Sequence, residues 1–481
     1  MLPSTQSFNR FASWFTFIFV MAMFLPRVVG QGMFADGFCY SSMARNMAEG
    51  RGWLWEPFFS SSFWLSYNSG TVYYENMPLM FWMQSWLFKL FGDFWWVEKL
   101  YCGILLLACY WVITLIFKKF TAYKSFAWLP ILIWYTMPII LWASPNNQMD
   151  YTMAFFSLIA VYLLPFGKES SQPSAVFYGL SGFFTFVAFL AKGPVGIFPL
   201  AVPFLHWLVF REYSFSKMLG NSFLMLGAFA LSFVLLFQYP PAKHYVLQFL
   251  DQQLFSAISG KREQAADSFA RLYILKQLLI QTAPMFGLGL IFLFFAKKIK
   301  LVLQPSENRK MAFFMLLIAL SASLPIMISP KQHEIYLIPA MPFYALAGAF
   351  FLLPAVQASV ESRAWNLTPY LKYLGVLLIL VLAYTATLVG KPSREKDVLA
   401  DMEILSKHIP EGAKVGVCEA MMGDFVIHCY LQRYHKWELT RDFSKTNYII
   451  TQPSCGNPVV ENGFHAVELS EKQVFSLFKR D

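Results

Sequence analysis

Long apolar runs recur along most of this chain, and they leave few folds open. A run of about 20 apolar residues crosses a bilayer as a helix, and inside hydrocarbon its backbone polar groups must be paired within the segment. A chain with many such runs folds as a polytopic bundle of membrane helices. Of the 481 residues, 57% are hydrophobic and only 14% are charged, too apolar for a soluble protein of this length. About eleven spans can be placed, roughly at residues 11–29, 97–117, 126–142, 151–166, 175–190, 195–210, 218–237, 275–296, 311–328, 335–353 and 373–389. Several are short for a full crossing, which predicts tilt or a thinned, wet surrounding. No small-residue cleavage site clearly follows the first run, so it reads as a retained span.

The net charge of +10 would suit a nucleic-acid binder, but its distribution does not. Basic residues gather in short connections: Lys118, Lys119, Lys124, Lys168, Arg211, Lys217, Lys297, Lys298, Lys300, Arg309, Lys310, Arg363 and Lys372. The alternate short connections hold only Lys192 and Lys331. The basic set is therefore expected in the cytoplasm, with the N-terminus inside and the tail outside. Two longer connections, 30–96 and 238–276, fall on the outer side. The first ends in an amphipathic stretch, 80–91, expected to lie in the membrane interface. The second carries Asp251-Gln252-Gln253 and a polar run at 260–263.

Composition changes near residue 391. The expected organisation is a membrane domain, 1–390, and a small soluble α/β domain, 391–481. The tail has a helical piece at 397–408 and short apolar runs at 414–417, 448–450 and 466–469. It holds no glycine-rich phosphate loop. The six cysteines show no metal-ligand spacing. Cys102 and Cys109 read as packing residues of one helix. In an oxidising compartment, Cys418–Cys429 is the expected disulfide of the tail.

The ionisable residues that stand out share the outer side. Asp36 follows the first span in Ala35-Asp36-Gly37-Phe38-Cys39-Tyr40. A carboxylate at that boundary is partly desolvated yet reachable, which suits a general base; an ordinary solvated loop residue is the plainer alternative. Asp150 opens the fourth span, Lys192 sits in Ala191-Lys192-Gly193-Pro194, and Lys331, His333 and Glu334 precede Tyr336. Each has a structural alternative: helix-dipole pairing for Asp150 and snorkelling for the lysines. Together they make a set able to hold a phosphate and act on a hydroxyl. A secondary transporter would place charges at mid-depth and show repeated halves, and neither is seen.

The order of these features resembles the bacterial membrane glycosyltransferases of the GT-C class, near the lipid A aminoarabinose transferases and the protein O-mannosyltransferases. It is carried by Asp36 and Tyr40; by Tyr74-Glu75-Asn76-Met77-Pro78-Leu79; by Met149-Asp150; by Ala191-Lys192-Gly193-Pro194; and by Lys331 through Tyr336 to Pro342. The resemblance implies a polyprenyl-phosphate sugar donor, a lipid, glycan or protein acceptor, and transfer at the periplasmic face of a bacterial inner membrane. It implies a catalytic role for Asp36. Asp150 and Glu75 are expected to orient sugar hydroxyls, a neighbouring lysine or a divalent metal. Lys192 and Lys331 are expected on the donor phosphate, and Tyr40, Tyr74, His333 and Tyr336 on substrate. Many relatives have a second carboxylate where this chain has Gly37, and a lysine where it has Asn76, so the phosphate falls to Lys192 and Lys331. A polysaccharide polymerase or ligase using the same kind of donor is the neighbouring alternative.

Overall fold

The computed structural model describes residues 3–61, 71–166, 174–259, 270–296, 306–363, 365–455, 463–469 and 474–480. Two compact units emerge. The first comprises Met1–Pro26, Glu75–Leu79 and Cys102–Thr387; the second comprises Arg27–Tyr74, Met80–Tyr101 and Leu388–Asp481.

The first unit is a helical membrane bundle. Across the described residues, eight helices are long and apolar enough to cross a membrane: Thr5–Val28, Val97–Lys119, Ala175–Lys192, Phe215–Leu236, Tyr273–Phe294, Glu307–Ile328, Met341–Glu361 and Thr368–Ala386. In Met341–Glu361, 67% of the residues in its most apolar 18-residue stretch are buried, against 11% in each of Phe215–Leu236, Tyr273–Phe294 and Thr368–Ala386. The first therefore runs through the core, and the other three turn apolar side chains outward as lipid-facing helices do. Gly182 lets Ser174–Lys192 lie against Phe215–Leu236, since a Cβ there would sit 2.1 Å from the Met225 carbonyl oxygen.

The other expected spans are shorter. Met149–Leu163 and Pro194–Phe210 are apolar helices below full crossing length. The expected span 126–142 breaks into Trp128–Tyr135 and Pro138–Ala143. Met137 is extended (φ −70°, ψ 126°) because Pro138 disfavours the helical region in the residue before it. The connection expected at 238–276 is largely helical, with Pro240–Phe249 running into Leu250–Phe255 and Ser256–Ile258. Its polar run 260–263 lies outside the described residues, as do Lys168, Lys297, Lys298 and Lys300.

The second unit joins the segment after the first span to the tail. The buried helix Ala35–Ala48 follows Phe34 directly. The helix Leu79–Phe91 buries Met80, Phe81, Gln84, Ser85 and Phe88. It exposes Trp82, Trp86 and Leu90, an apolar outer face fit for a membrane interface. The tail carries a five-stranded sheet in the order β2-β1-β3-β5-β4, with β1 Lys414–Gly416, β2 Glu438–Thr440, β3 Tyr448–Thr451, β4 Phe464–Val467 and β5 Ser476–Arg480. β1 pairs in parallel with β2 and β3, while β5 pairs antiparallel with β3 and β4. The tail helix Phe425–His435 crosses over from β1 to β2.

The tail disulfide is Cys418–Cys455, with Cα atoms 5.7 Å apart, and not the expected Cys418–Cys429. Cys429 lies on the buried face of the tail helix and its thiol hydrogen-bonds Cys39. Cys418 caps the next short helix, Glu419–Met422, beside the turn Pro453–Cys455.

Candidate active site

Asp150 and Lys192 meet inside the first unit. Asp150 stands in the first turn of Met149–Leu163, and Lys192 ends Ser174–Lys192. The lysine Nζ donates to Asp150 Oδ2; their side chains are 9% and 0% exposed. The turn after Lys192 depends on glycine. Gly193 has φ +108°, and a Cβ there would meet the Phe249 ring at 2.7 Å. Pro194 then opens the stretch Pro194–Ala201. Backbone geometry thus fixes where the lysine leaves its helix.

A buried ion pair is a costly element to keep for stability alone, because desolvation of both charges offsets their attraction. This pair is also left incomplete. Asp150 Oδ1 and the neighbouring Gln148 Oε1 are buried acceptors without a hydrogen-bond partner among the described residues. Buried acceptors in that state are expected to receive a donor from elsewhere, such as a hydroxyl or water. On its other side, Lys192 Nζ lies 4.8 Å from the centre of the Tyr336 ring. His333 sits near enough to act electrostatically on Asp150.

His333 is exposed, and Lys331 and Tyr336 are half-buried. The segment carrying them is pinned by Gln332, which accepts from the Ile274 amide at 2.8 Å and donates to the Arg271 and Ser329 carbonyls, each at 2.9 Å. Glu334 accepts from Tyr273 Oη at 2.7 Å. Glu75 is half-buried in the same unit, and the next residue, Asn76, accepts at its carbonyl from Tyr245 Oη at 2.6 Å. The first unit therefore brings together Asp150, Lys192, Tyr336 and His333. Among the described residues no group of three or more His, Cys, Asp or Glu is placed to hold a metal ion, and Asp150 is already engaged by Lys192.

Asp36, Tyr40 and Tyr74 belong to the second unit. Asp36 is half-buried in the first turn of Ala35–Ala48, where the helix dipole favours a negative charge. Tyr40 is buried against Phe81, with ring centroids 5.6 Å apart, and Tyr74 is half-buried. Around this helix lies a set of ion pairs that the sequence did not reveal, with Arg45, Glu98 and Arg433 buried beside the more exposed Asp93. Arg433 of the tail helix donates to Glu98 at 2.8 and 3.1 Å and to Asp93 at 2.7 Å. Arg45, 1% exposed, donates to the Gln432 and Arg433 carbonyls at 3.0 and 3.2 Å. A signal existed in the sequence, namely Arg45 as the one basic residue of the stretch 35–48. Its partners, far away along the chain, were not readable.

This fold is that of the GT-C class of membrane glycosyltransferases, as the sequence resemblance implied. In particular, it is similar to ArnT from Cupriavidus metallidurans. The crystal structure bound to undecaprenyl phosphate has a TM-score of 0.65 at 14% identity, covering 97% of each chain. The apo structure gives 0.61 at 14% identity over 95% of each. The archaeal oligosaccharyltransferase AglB from Archaeoglobus fulgidus, in complex with an inhibitory peptide and a dolichol-phosphate, gives 0.51 at 11% identity, covering 90% of this chain and 69% of that one. Residues 75–238 match the family described as dolichyl-phosphate-mannose-protein mannosyltransferase. That stretch includes Glu75, Asp150 and Lys192. No curated protein sequence matches this chain.

Proposed function

We propose that the chain is a glycosyltransferase that moves a sugar from a polyprenyl-phosphate donor to a lipid, glycan or protein acceptor. The observation that carries this reading is Lys192, a buried cation held between Asp150 and the Tyr336 ring, with Asp150 Oδ1 still able to accept. The fold adds support, since similar structures hold undecaprenyl phosphate and dolichol-phosphate.

In the proposed reaction an acceptor oxygen bonds to the anomeric carbon. The bond from that carbon to the donor phosphate breaks, and the phosphate keeps the electron pair. Phosphate is already a good leaving group, so the enzyme's work is mainly positioning and charge neutralisation. Lys192, with Lys331, supplies the positive charge. Asp150 orients Lys192 and accepts from a sugar hydroxyl at its open oxygen. Asp36 takes the proton of an acceptor hydroxyl. With a phosphate acceptor, which needs no base, Asp36 instead stabilises positive charge on the sugar. Glu75, Tyr40, Tyr74, His333 and Tyr336 contact substrate. The basic residues of the short connections favour transfer at the periplasmic face of a bacterial inner membrane, with the N-terminus in the cytoplasm.

Two measurements test this. Lys192→Gln combined with Asp150→Asn removes both buried charges together and avoids stranding one of them. The double variant is expected to bind undecaprenyl phosphate at least about tenfold more weakly in native mass spectrometry; unchanged binding would remove Lys192 from the phosphate. Asp36→Asn is expected to keep undecaprenyl-phosphate binding and to lose transfer by about a hundredfold or more. Transfer is read from the sugar-bearing product by mass spectrometry of cells with and without the chain. If those cells show no difference in any lipid or glycan, the transferase reading itself fails.

A further inference from the structure

Asp36 stands three residues beyond a stretch of backbone, Gly32 and Met33, that the tail holds with two phenols. Tyr434 Oη accepts from the Gly32 amide at 3.1 Å. Tyr430 Oη accepts from the Met33 amide at 3.3 Å and donates to the Met33 carbonyl at 2.9 Å. These tyrosines are one turn apart on the tail helix Phe425–His435, so both face the same way. Their rings flank Phe38, with centroids 4.8 and 5.4 Å away in edge-to-face contact. The same backbone is fixed from two further directions. Lys99 Nζ donates to the Gly32 carbonyl at 2.7 Å. Gln31 exchanges backbone hydrogen bonds with Lys391 and Ser393 at 2.9 and 2.8 Å. Gly32 takes φ +87°, and a Cβ there would come 2.6 Å from the Arg394 carbonyl oxygen, so no other residue fits without a shift.

The consequence lies in how the helix Ala35–Ala48 begins. Its N-cap, Phe34, has no side-chain cap, and the Gly37 amide bonds back to the Phe34 carbonyl at 2.9 Å. The Phe34 side chain offers no cap, so the backbone entering the helix depends on what holds residues 31–34. Asp36 lies in that first turn. Any drift of the backbone there moves its carboxylate directly, and displacement of about 1 Å can cost about a hundredfold in rate.

We infer that Tyr430 and Tyr434 are positioning residues for Asp36: the tail sets the carboxylate's place through two phenol-to-backbone contacts at Gly32 and Met33. This rests on the reading of Asp36 as the residue that acts on the acceptor. The tail is then part of the reaction machinery, without contributing a group that touches substrate.

The test is the full-length protein carrying Tyr430→Phe and Tyr434→Phe together, which removes both hydroxyls and keeps the rings against Phe38. Transfer per folded molecule is expected to fall about ten- to a hundredfold, with undecaprenyl-phosphate binding close to wild type; the thermal midpoint falls as well, because the Gly32 and Met33 backbone groups lose their partners. A merely structural role would shift the midpoint alone and leave the turnover of the folded fraction unchanged. In an Asp36→Asn background the same pair is expected to cause no further loss. If the double variant does not fold, each single variant is expected to lower turnover with binding retained. Wild-type turnover in the folded double variant, or in both singles, overturns the inference while leaving Asp36 in place. Full activity of Asp36→Asn alone overturns the reading beneath it.

Discussion

Arg433 shows how much one side chain is asked to do. It is 3% exposed and donates to Glu98 through two nitrogens, to Asp93 and to the Phe94 carbonyl. Burial alone would lower its pKa, but Glu98 and Asp93 outweigh that and hold it above the ordinary arginine value. Arg45 competes for Asp93 at 3.6 Å, and burial brings it down to about 10. Removing one member of such a set strands its partners, so Arg433→Met is expected to cost about 3–5 kcal/mol. Arg433→Lys keeps the charge but loses the forked geometry toward Glu98, and should recover only part of that loss. Thermal unfolding in detergent is the check, and a midpoint unchanged in Arg433→Met would contradict it. The Asp150–Lys192 pair, by contrast, was legible as two ionisable residues set in apolar sequence on one predicted side. Polar residues in hydrocarbon-like surroundings need partners, and few were on offer.

At the scale of elements, periodicity and punctuation were good guides where neighbours are close in sequence. The amphipathic helix expected at 80–91 is found at Leu79–Phe91, and the tail helix piece expected at 397–408 at Lys396–Leu405. The strands expected at 414–417, 448–450 and 466–469 correspond to β1, β3 and β4 within a few residues. β2 and β5 were missed, because each carries polar residues that blur the alternation a strand shows. The disulfide assignment failed because nearness in sequence is a poor guide to nearness in space. Cys418 pairs across a separation of 37 residues. Losing that bond through Cys455→Ser is expected to cost about 2–4 kcal/mol. Peptide mapping without reductant should recover a linked pair containing Cys418 and Cys455, with Cys429 as a free thiol; a Cys418–Cys429 link would contradict the structure.

At the scale of the whole molecule, the tail shares one unit with residues 27–74 and 80–101. The helix Ala35–Ala48 owes much of its burial to tail residues, including Tyr430, Tyr434 and the carbonyls that accept from Arg45. A chain ending at residue 387 is therefore expected to expose that helix. Limited proteolysis should then cut within residues 30–60 much faster than in the full chain, and transfer should be lost. A truncated chain that resists cleavage there and still transfers sugar would show the tail to be dispensable.

The membrane class, the helix-forming segments and the polar residues worth watching followed from the sequence alone, because apolar length and local periodicity are properties of neighbouring residues. Tertiary structure decided which of those residues meet: Lys192 with Asp150 and Tyr336, and Tyr434 with Gly32, residues 402 positions apart. Such pairings depend on how distant helices pack, and no local pattern of side chains encodes that.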